Sequence, residues 1–126
     1  AEAQPFNGGP LAADLEGFVR VPFAFGSGAP EVDATQQQAI ATLVKIALAE
    51  KQRVLITGHA DAKGTPAANE RVALKRAKAL ADLLATAGLP RELMQVEGRS
   101  NREPVRSDDS PEADAANRRA EAVLAP

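Results

Sequence analysis

The chain of 126 residues has no cysteine, no tryptophan and no tyrosine, and it carries a single histidine. Without cysteine, neither a disulfide framework nor a thiolate metal site can form. One histidine, His59, cannot build an ordinary zinc centre, so no metal or cofactor is expected. The four phenylalanines are the only aromatics, and the stacking platforms of single-strand nucleic-acid binders are missing. Charge of one sign is also lacking. Lys and Arg number 15 against 17 Asp and Glu, a formal net charge of −2, which exerts no global pull on nucleic acid or on an anionic membrane. The basic residues Lys75, Arg76, Lys78, Arg99, Arg102 and Arg106 are interleaved with acids, which argues further against a nucleic-acid partner. No apolar run approaches the ~20 residues that span a bilayer. Ala1–Gly17 has neither the basic start nor the apolar stretch of a secretory signal. A membrane is therefore expected only through an anchor or domain placed before residue 1. Hydrolytic chemistry has little support: His59 and Asp61 are two apart on one turn, and no serine stands in a Gly-x-Ser-x-Gly elbow.

What is present suffices for one domain. Hydrophobic residues make up 44% of the chain, with alanine supplying much of that share, so the core is expected to be thin layers of Ala, Val and Leu with a few Phe. Residues 1–17 lack a sustained period and read as a linker or arm in which Phe6 and Leu11 are candidate docking residues. Residues 18–126 read as the folded domain. From Phe18, Val19, Val21, Phe23 and Phe25 alternate with the residues between them as in a strand, and Pro22 assigns that strand to an edge or to a local irregularity. Asp33 and Gln36 have the spacing of a capping box, followed by the helical stripe Ile40, Leu43, Val44, Ala47 and Leu48. Val54-Leu55-Ile56 suits a central strand covered on both faces. Thr65 and Pro66 open a second helix, which runs to the stop at Gly88 and Pro90. Met94 and Val96 mark a third strand ending at Gly98. A short helical turn is expected after Ser110-Pro111-Glu112, and Arg119–Leu124 forms a final strand. The fold class is α/β in the sense of an α+β sandwich, βαβαββ, with two main helices on one face of a four-stranded mixed sheet.

The chain is organised around Gly58 to Arg76. A strand end there presents an acid, Asp61, towards the first turns of a helix carrying Asn69 and Arg76. These two are seven residues apart, almost two full turns, and so lie on one helical face. Ionised Asp61 only accepts hydrogen bonds and suits an ammonium, whereas the planar fork of Arg76 fits a carboxylate in bidentate fashion. The helix start adds free N–H groups and positive dipole. A ligand bearing both an ammonium and a carboxylate would be held, and the same pair could equally be an ion pair tying strand to helix. Gly58, His59, Gly64, Thr65 and Pro66 have structural work to do, Gly64 in a turn that needs positive φ and His59 in fixing the turn by hydrogen bonding.

The run Gly58-His59-Ala60-Asp61, Gly64-Thr65-Pro66, Asn69 and Arg76-Ala77, followed by Gly98, Pro104-Val105 and Asn117-Arg118-Arg119, resembles the signature of the OmpA-like peptidoglycan-binding domain. It is closest to the peptidoglycan-associated lipoprotein branch. The resemblance covers about residues 18–124. It implies non-covalent, non-catalytic binding of the peptidoglycan stem peptide through its meso-diaminopimelate group, anchoring an envelope protein to the wall in the bacterial periplasm or at the outer membrane. As an alternative, it implies a module for other envelope proteins with weak or no peptidoglycan binding. Carried over residue by residue, Asp61 and Arg76 are the ligand pair, Asn69 shapes the pocket and Arg118 is a pocket wall. Ser27 and Gly28 stand in the first loop that contributes backbone. Ala68 stands where an aromatic residue is frequent, and Ser100 where a second glycine follows the third strand. Asp114 stands where many members outside this branch carry arginine. Two charged contacts at roughly 1.5–3 kcal/mol each, together with a few backbone bonds, imply affinity of about −4 to −8 kcal/mol, micromolar to millimolar. Asp61→Ala or Arg76→Ala is expected to abolish co-sedimentation with sacculi and to leave the fold intact.

Overall fold

The computed structural model describes residues 18–24, 27–61, 63–102, 104 and 110–125. The expected arm over 1–17, with Phe6 and Leu11, lies outside the described residues, as do Phe25, Val105 and Arg106. The elements are β1 (Phe18–Pro22), α1 (Ala34–Glu50), β2 (Val54–His59), α2 (Pro66–Thr86), a 3-10 turn (Arg91–Leu93), β3 (Met94–Gly98), α3 (Pro111–Asn117) and β4 (Arg119–Leu124). The turn expected after Ser110 is α3, with the Ser110 side chain accepting from the Ala113 N–H.

The sheet order is β1-β4-β2-β3. β4 runs antiparallel to both β1 and β2, and β2 and β3 are parallel, which requires the crossover that α2 supplies. β1, which contains the proline that cannot donate to a ladder, lies at the edge. Val19, Ala122 and Ile56 fall in one cross-strand row and turn towards the helices, where all are buried. Central β2 buries every residue but Leu55. Its other face is polar: Arg20 pairs in register with Glu121, and Glu121 with Thr57. There Arg20 reaches Glu121 through Nε at 3.0 Å and Nη2 at 2.9 Å, and Arg119 Nε reaches the same carboxylate at 2.8 Å.

The helices start where their caps dictate. Asp33 accepts from the N–H groups of Thr35 and Gln36, and the Gln36 side chain returns a bond to the Asp33 N–H, closing the capping box. α1 ends at Lys51, whose φ of 53° is left-handed. Its inward stripe is Ile40, Leu43, Val44 and Ala47. Leu48 lies about 100° round from Ala47 and stays 46% exposed, a departure from the expected stripe. α2 is capped by Thr65 Oγ1 accepting from Ala68, with Pro66 in the first turn, and Gly88 past its end has φ +113°.

α2 sits on the sheet at unusually close range. Gly58 and Gly98 are partners across the β2–β3 ladder, and α2 crosses above both. A Cβ on Gly58 would lie 1.8 Å from the Ala73 carbonyl oxygen, and one on Gly98 would lie 2.8 Å from the Leu74 nitrogen. Ala73 and Ala77, both fully buried, keep the helix side of this contact thin. Small residues on both sides lower α2 onto the strand end, bringing Arg76 to the residues just past β2.

Candidate functional site

The chain leaves β2 at His59 and turns. Ala60 N–H donates to the Ser100 carbonyl at 2.6 Å, tying this turn to the one after β3. Ser100 occupies the left-handed region with φ 50°, a conformation glycine adopts freely and serine does not. Asp61 follows, 5% exposed, its Oδ1 accepting the Lys63 N–H at 3.0 Å. Gly64 has φ +90°, as the turn requires.

A cleft of about 180 Å³ opens between this turn and α2, lined by Ala60, Asp61, Lys63, Gly64, Ala68, Asn69, Val72 and Arg76. Asp61, Asn69 and Arg76, the expected ligand pair and pocket-shaping asparagine, are therefore brought together at one opening. Ala60, Ala68 and Val72 give it apolar walls, and Asp61, Lys63, Asn69 and Arg76 supply its polar groups.

Arg76 is only 1% exposed. Its Nε donates to the Ser27 carbonyl at 3.0 Å, Nη1 to the His59 carbonyl at 2.9 Å and Nη2 to the Ala24 carbonyl at 3.3 Å, while its guanidinium carbon stands 5.4 Å from the Phe23 ring centroid. One side chain thus clamps the β1–α1 loop to the end of β2. Burial pulls its pKa down to about 10; Asp61 opposes that fall and Arg118 adds to it, so the group stays cationic at neutral pH. With this geometry Arg76→Ala is expected to cost stability as well, because the buried His59 carbonyl and the half-buried Ser27 carbonyl lose this donor, while the exposed Ala24 carbonyl keeps the Ser27 N–H at 3.0 Å. A buried acceptor left bare costs about 1–3 kcal/mol.

Asp61 does not face Arg76 as a bare acid. Its Oδ2 lies 3.2 Å from Nη1 of Arg118, whose Nε is held by the Phe23 carbonyl at 3.1 Å. Arg118 is outside the residues lining the cleft and reaches it through Asp61. Ser27 and Gly28 also stand outside the lining: Ser27 supplies a carbonyl to Arg76, its hydroxyl accepts from the Ala29 N–H at 3.0 Å, and Gly28 leaves room for the Lys75 side chain.

The His59 side chain turns to the polar face of the sheet, where Nε2 meets Thr57 Oγ1 at 2.9 Å. Its contribution to the cleft is its backbone carbonyl. Burial first, then the positive field of Arg119, Arg99, Arg20 and Arg102, lowers its pKa to about 2, so the ring is neutral at any physiological pH. Nδ1 has no hydrogen-bond partner among the described residues.

Sequence reasoning missed Lys63, which lines the cleft while its Nζ reaches Asp114 Oδ2 at 2.6 Å. Its position between Asp61 and Gly64 was the available signal. It also missed Phe23 beneath Arg76, for which no local signal exists. Among the described residues, no cluster of His, Asp and Glu could hold a metal ion, and no helix is long and apolar enough to cross a membrane.

A four-stranded mixed sheet covered by two long helices, with an acid and a buried guanidinium at the end of β2, defines a small α+β domain. The chain belongs to the OmpA family, whose model matches residues 24–123. It is 31% identical over 125 residues to the peptidoglycan-binding protein ArfA of Mycobacterium tuberculosis, an alignment covering 95% of this chain and 38% of that protein. The chain thus spans well under half the length of the curated relatives first matched. Among solved structures it is similar to the peptidoglycan-associated lipoprotein of Burkholderia pseudomallei, with a TM-score of 0.76 and 26% identity over 85% of this chain and 90% of that one. It is also similar to the cell wall anchor of the type VI secretion system of Pseudomonas aeruginosa, with a TM-score of 0.63 and 34% identity over 86% and 81% of the two chains.

Proposed function

We propose that the cleft binds the peptidoglycan stem peptide through the amino-acid head of meso-diaminopimelate. In this reading the domain is a non-catalytic module that anchors an envelope protein to the cell wall, in the periplasm or at the outer membrane. The observation that carries the reading is the placing of Asp61 and Arg76 on one apolar-walled cleft with donor and acceptor capacity to spare. Arg76 has five N–H groups and spends three on backbone carbonyls, which leaves two for a carboxylate. Asp61 has roughly four lone-pair sites and uses two, on Lys63 and Arg118, which leaves room for an ammonium. The names of relatives point the same way, one a peptidoglycan-binding protein and another a cell wall anchor.

The test is a titration of the isotope-labelled domain, followed through backbone amide shifts, with stem tetrapeptides carrying meso-diaminopimelate or lysine at the third position. Their side chains differ by one carboxylate. The diaminopimelate peptide is expected to bind in the micromolar to millimolar range, about −4 to −8 kcal/mol. Asp61→Asn, which keeps the shape, and Arg76→Lys, which keeps the charge, should each weaken it about ten- to a hundredfold, corresponding to one charged hydrogen bond of roughly 1.5–3 kcal/mol. Equal binding of the two peptides by the wild type removes the clamp. Release of muropeptides from sacculi would overturn the non-catalytic reading.

A further inference from the structure

We infer that Arg118 is the selectivity gate of this cleft: by sharing Asp61 it refuses a bare ammonium and admits one that arrives with its own carboxylate. The inference rests on the proposed reading of the cleft and assigns to a residue outside its lining the choice between zwitterionic and simply cationic ligands.

The Arg118 guanidinium is fixed. Nε donates to the Phe23 carbonyl at 3.1 Å and Nη1 to Asp61 Oδ2 at 3.2 Å. Its backbone is held at both ends, the N–H by the Asp114 carbonyl at 3.2 Å and the carbonyl by the Phe23 N–H at 2.9 Å. Arg118 caps α3 directly before β4, and its guanidinium swings aside only by giving up its bonds to Phe23 and Asp61. Phe23 is therefore braced by two guanidiniums: its carbonyl receives Arg118, and its ring lies against Arg76. Both cations face the one carboxylate of Asp61, which is 5% exposed.

That balance decides which ligands enter. An ammonium that approaches Asp61 alone meets a carboxylate whose charge is already engaged by Arg118, and adds a further positive charge beside Arg76 and Arg118. The cleft's other cation, Lys63, is paired with Asp114. Low local dielectric strengthens the repulsion between the ammonium and the two guanidiniums. An ammonium that brings a carboxylate adds no net charge, and its carboxylate can take the two remaining donors of Arg76. Rejection by like charge is a general way to obtain specificity that attraction alone does not supply. A merely structural Arg118 would affect stability, or the binding of both ligands in parallel, and would leave their ratio alone.

The test uses the same two tetrapeptides with Arg118→Met, which retains most of the aliphatic stem and removes the charge, and Arg118→Lys, which restores the charge. Thermal melts accompany each titration, and Arg118→Gln serves as the uncharged variant if the methionine variant does not fold. The lysine peptide is expected to bind at least about tenfold tighter to Arg118→Met than to the wild type, a change of about 1.4 kcal/mol, so that the preference for diaminopimelate collapses. Arg118→Lys should keep the wild-type preference. Diaminopimelate-selective binding by the wild type with the same preference in the uncharged variant overturns the gate alone. Parallel weakening of both peptides in that variant does so too, and makes Arg118 a structural brace. A wild-type domain that binds neither peptide overturns the proposed function, and the gate with it.

Discussion

Replacing Gly58 by alanine places a methyl group 1.8 Å from the Ala73 carbonyl oxygen, 2.6 Å from the Ala77 nitrogen and 2.8 Å from the Ala73 carbonyl carbon. All three are backbone atoms of α2, so no side chain can rotate out of the way and the helix itself must retreat by well over an ångström. Overpacking of this kind costs about 1–3 kcal/mol on its own. The displaced turn also carries Arg76, whose three bonds to Ser27, His59 and Ala24 stretch with it. Losing one such charged bond adds roughly 1.5–3 kcal/mol. Restricting the unfolded chain by exchanging glycine for alanine returns only ~0.4–1 kcal/mol. The expected destabilisation is therefore about 3–5 kcal/mol, a large part of the roughly 5–15 kcal/mol that holds a domain together. With neither tryptophan nor tyrosine in the chain, the assay is urea unfolding followed by far-ultraviolet circular dichroism, together with co-sedimentation with sacculi. Gly98→Ala is the graded control, its nearest obstacles lying at 2.8–3.1 Å on Leu74, and should cost clearly less. A Gly58→Ala domain within ~1 kcal/mol of the wild type, with unshifted α2 amides, would refute the argument that the paired glycines set the depth of Arg76.

Two further outcomes follow from single residues. His59 stays neutral in the fold down to about pH 2, while in the unfolded chain it takes a proton below its ordinary value near 6.5. The unfolded state binds more protons, so stability falls as pH drops below about 6.5, by about 2 kcal/mol from this residue at pH 5. Between pH 7 and 5, His59→Gln should lose that part of the pH dependence in urea unfolding, and an unchanged difference would count against it. Ser100→Gly should stabilise the domain by about 0.5–1 kcal/mol, the left-handed strain of serine outweighing the added freedom of glycine, and a lower melting temperature would show that the strain is absent.

The elements were legible because their signals are local. Asp33 with Gln36, Thr65 with Pro66, and the alternation from Phe18 each act within a few residues, and Pro22 narrowed its strand to an edge or an irregularity, of which the sheet order shows the edge. The acid and guanidinium of the cleft were legible as residue types at a spacing. What the guanidinium holds within the fold was not, because its partners Ala24 and Ser27 lie about fifty residues away and are reached through backbone atoms that every residue possesses. The Asp61–Arg118 pair spans 57 residues and depends on α3 ending where it does. Leu48 shows the opposite failure: it is four residues from Val44, yet on the helical wheel it falls at the margin of the stripe centred on Ile40 and Ala47, and it stays exposed.

The position of the cleft at the end of β2 has a mechanical meaning. β2 is bonded on one side to β4 and on the other to β3, and Arg76 grips the carbonyl of its last residue. On the proposed reading, a polymer held at the cleft would load β2 at this end. Part of that load would pass as shear into the two ladders that flank β2, and part through the bonds of Arg76 to Ser27 and Ala24 and of Arg118 to Phe23, into the segment that follows β1.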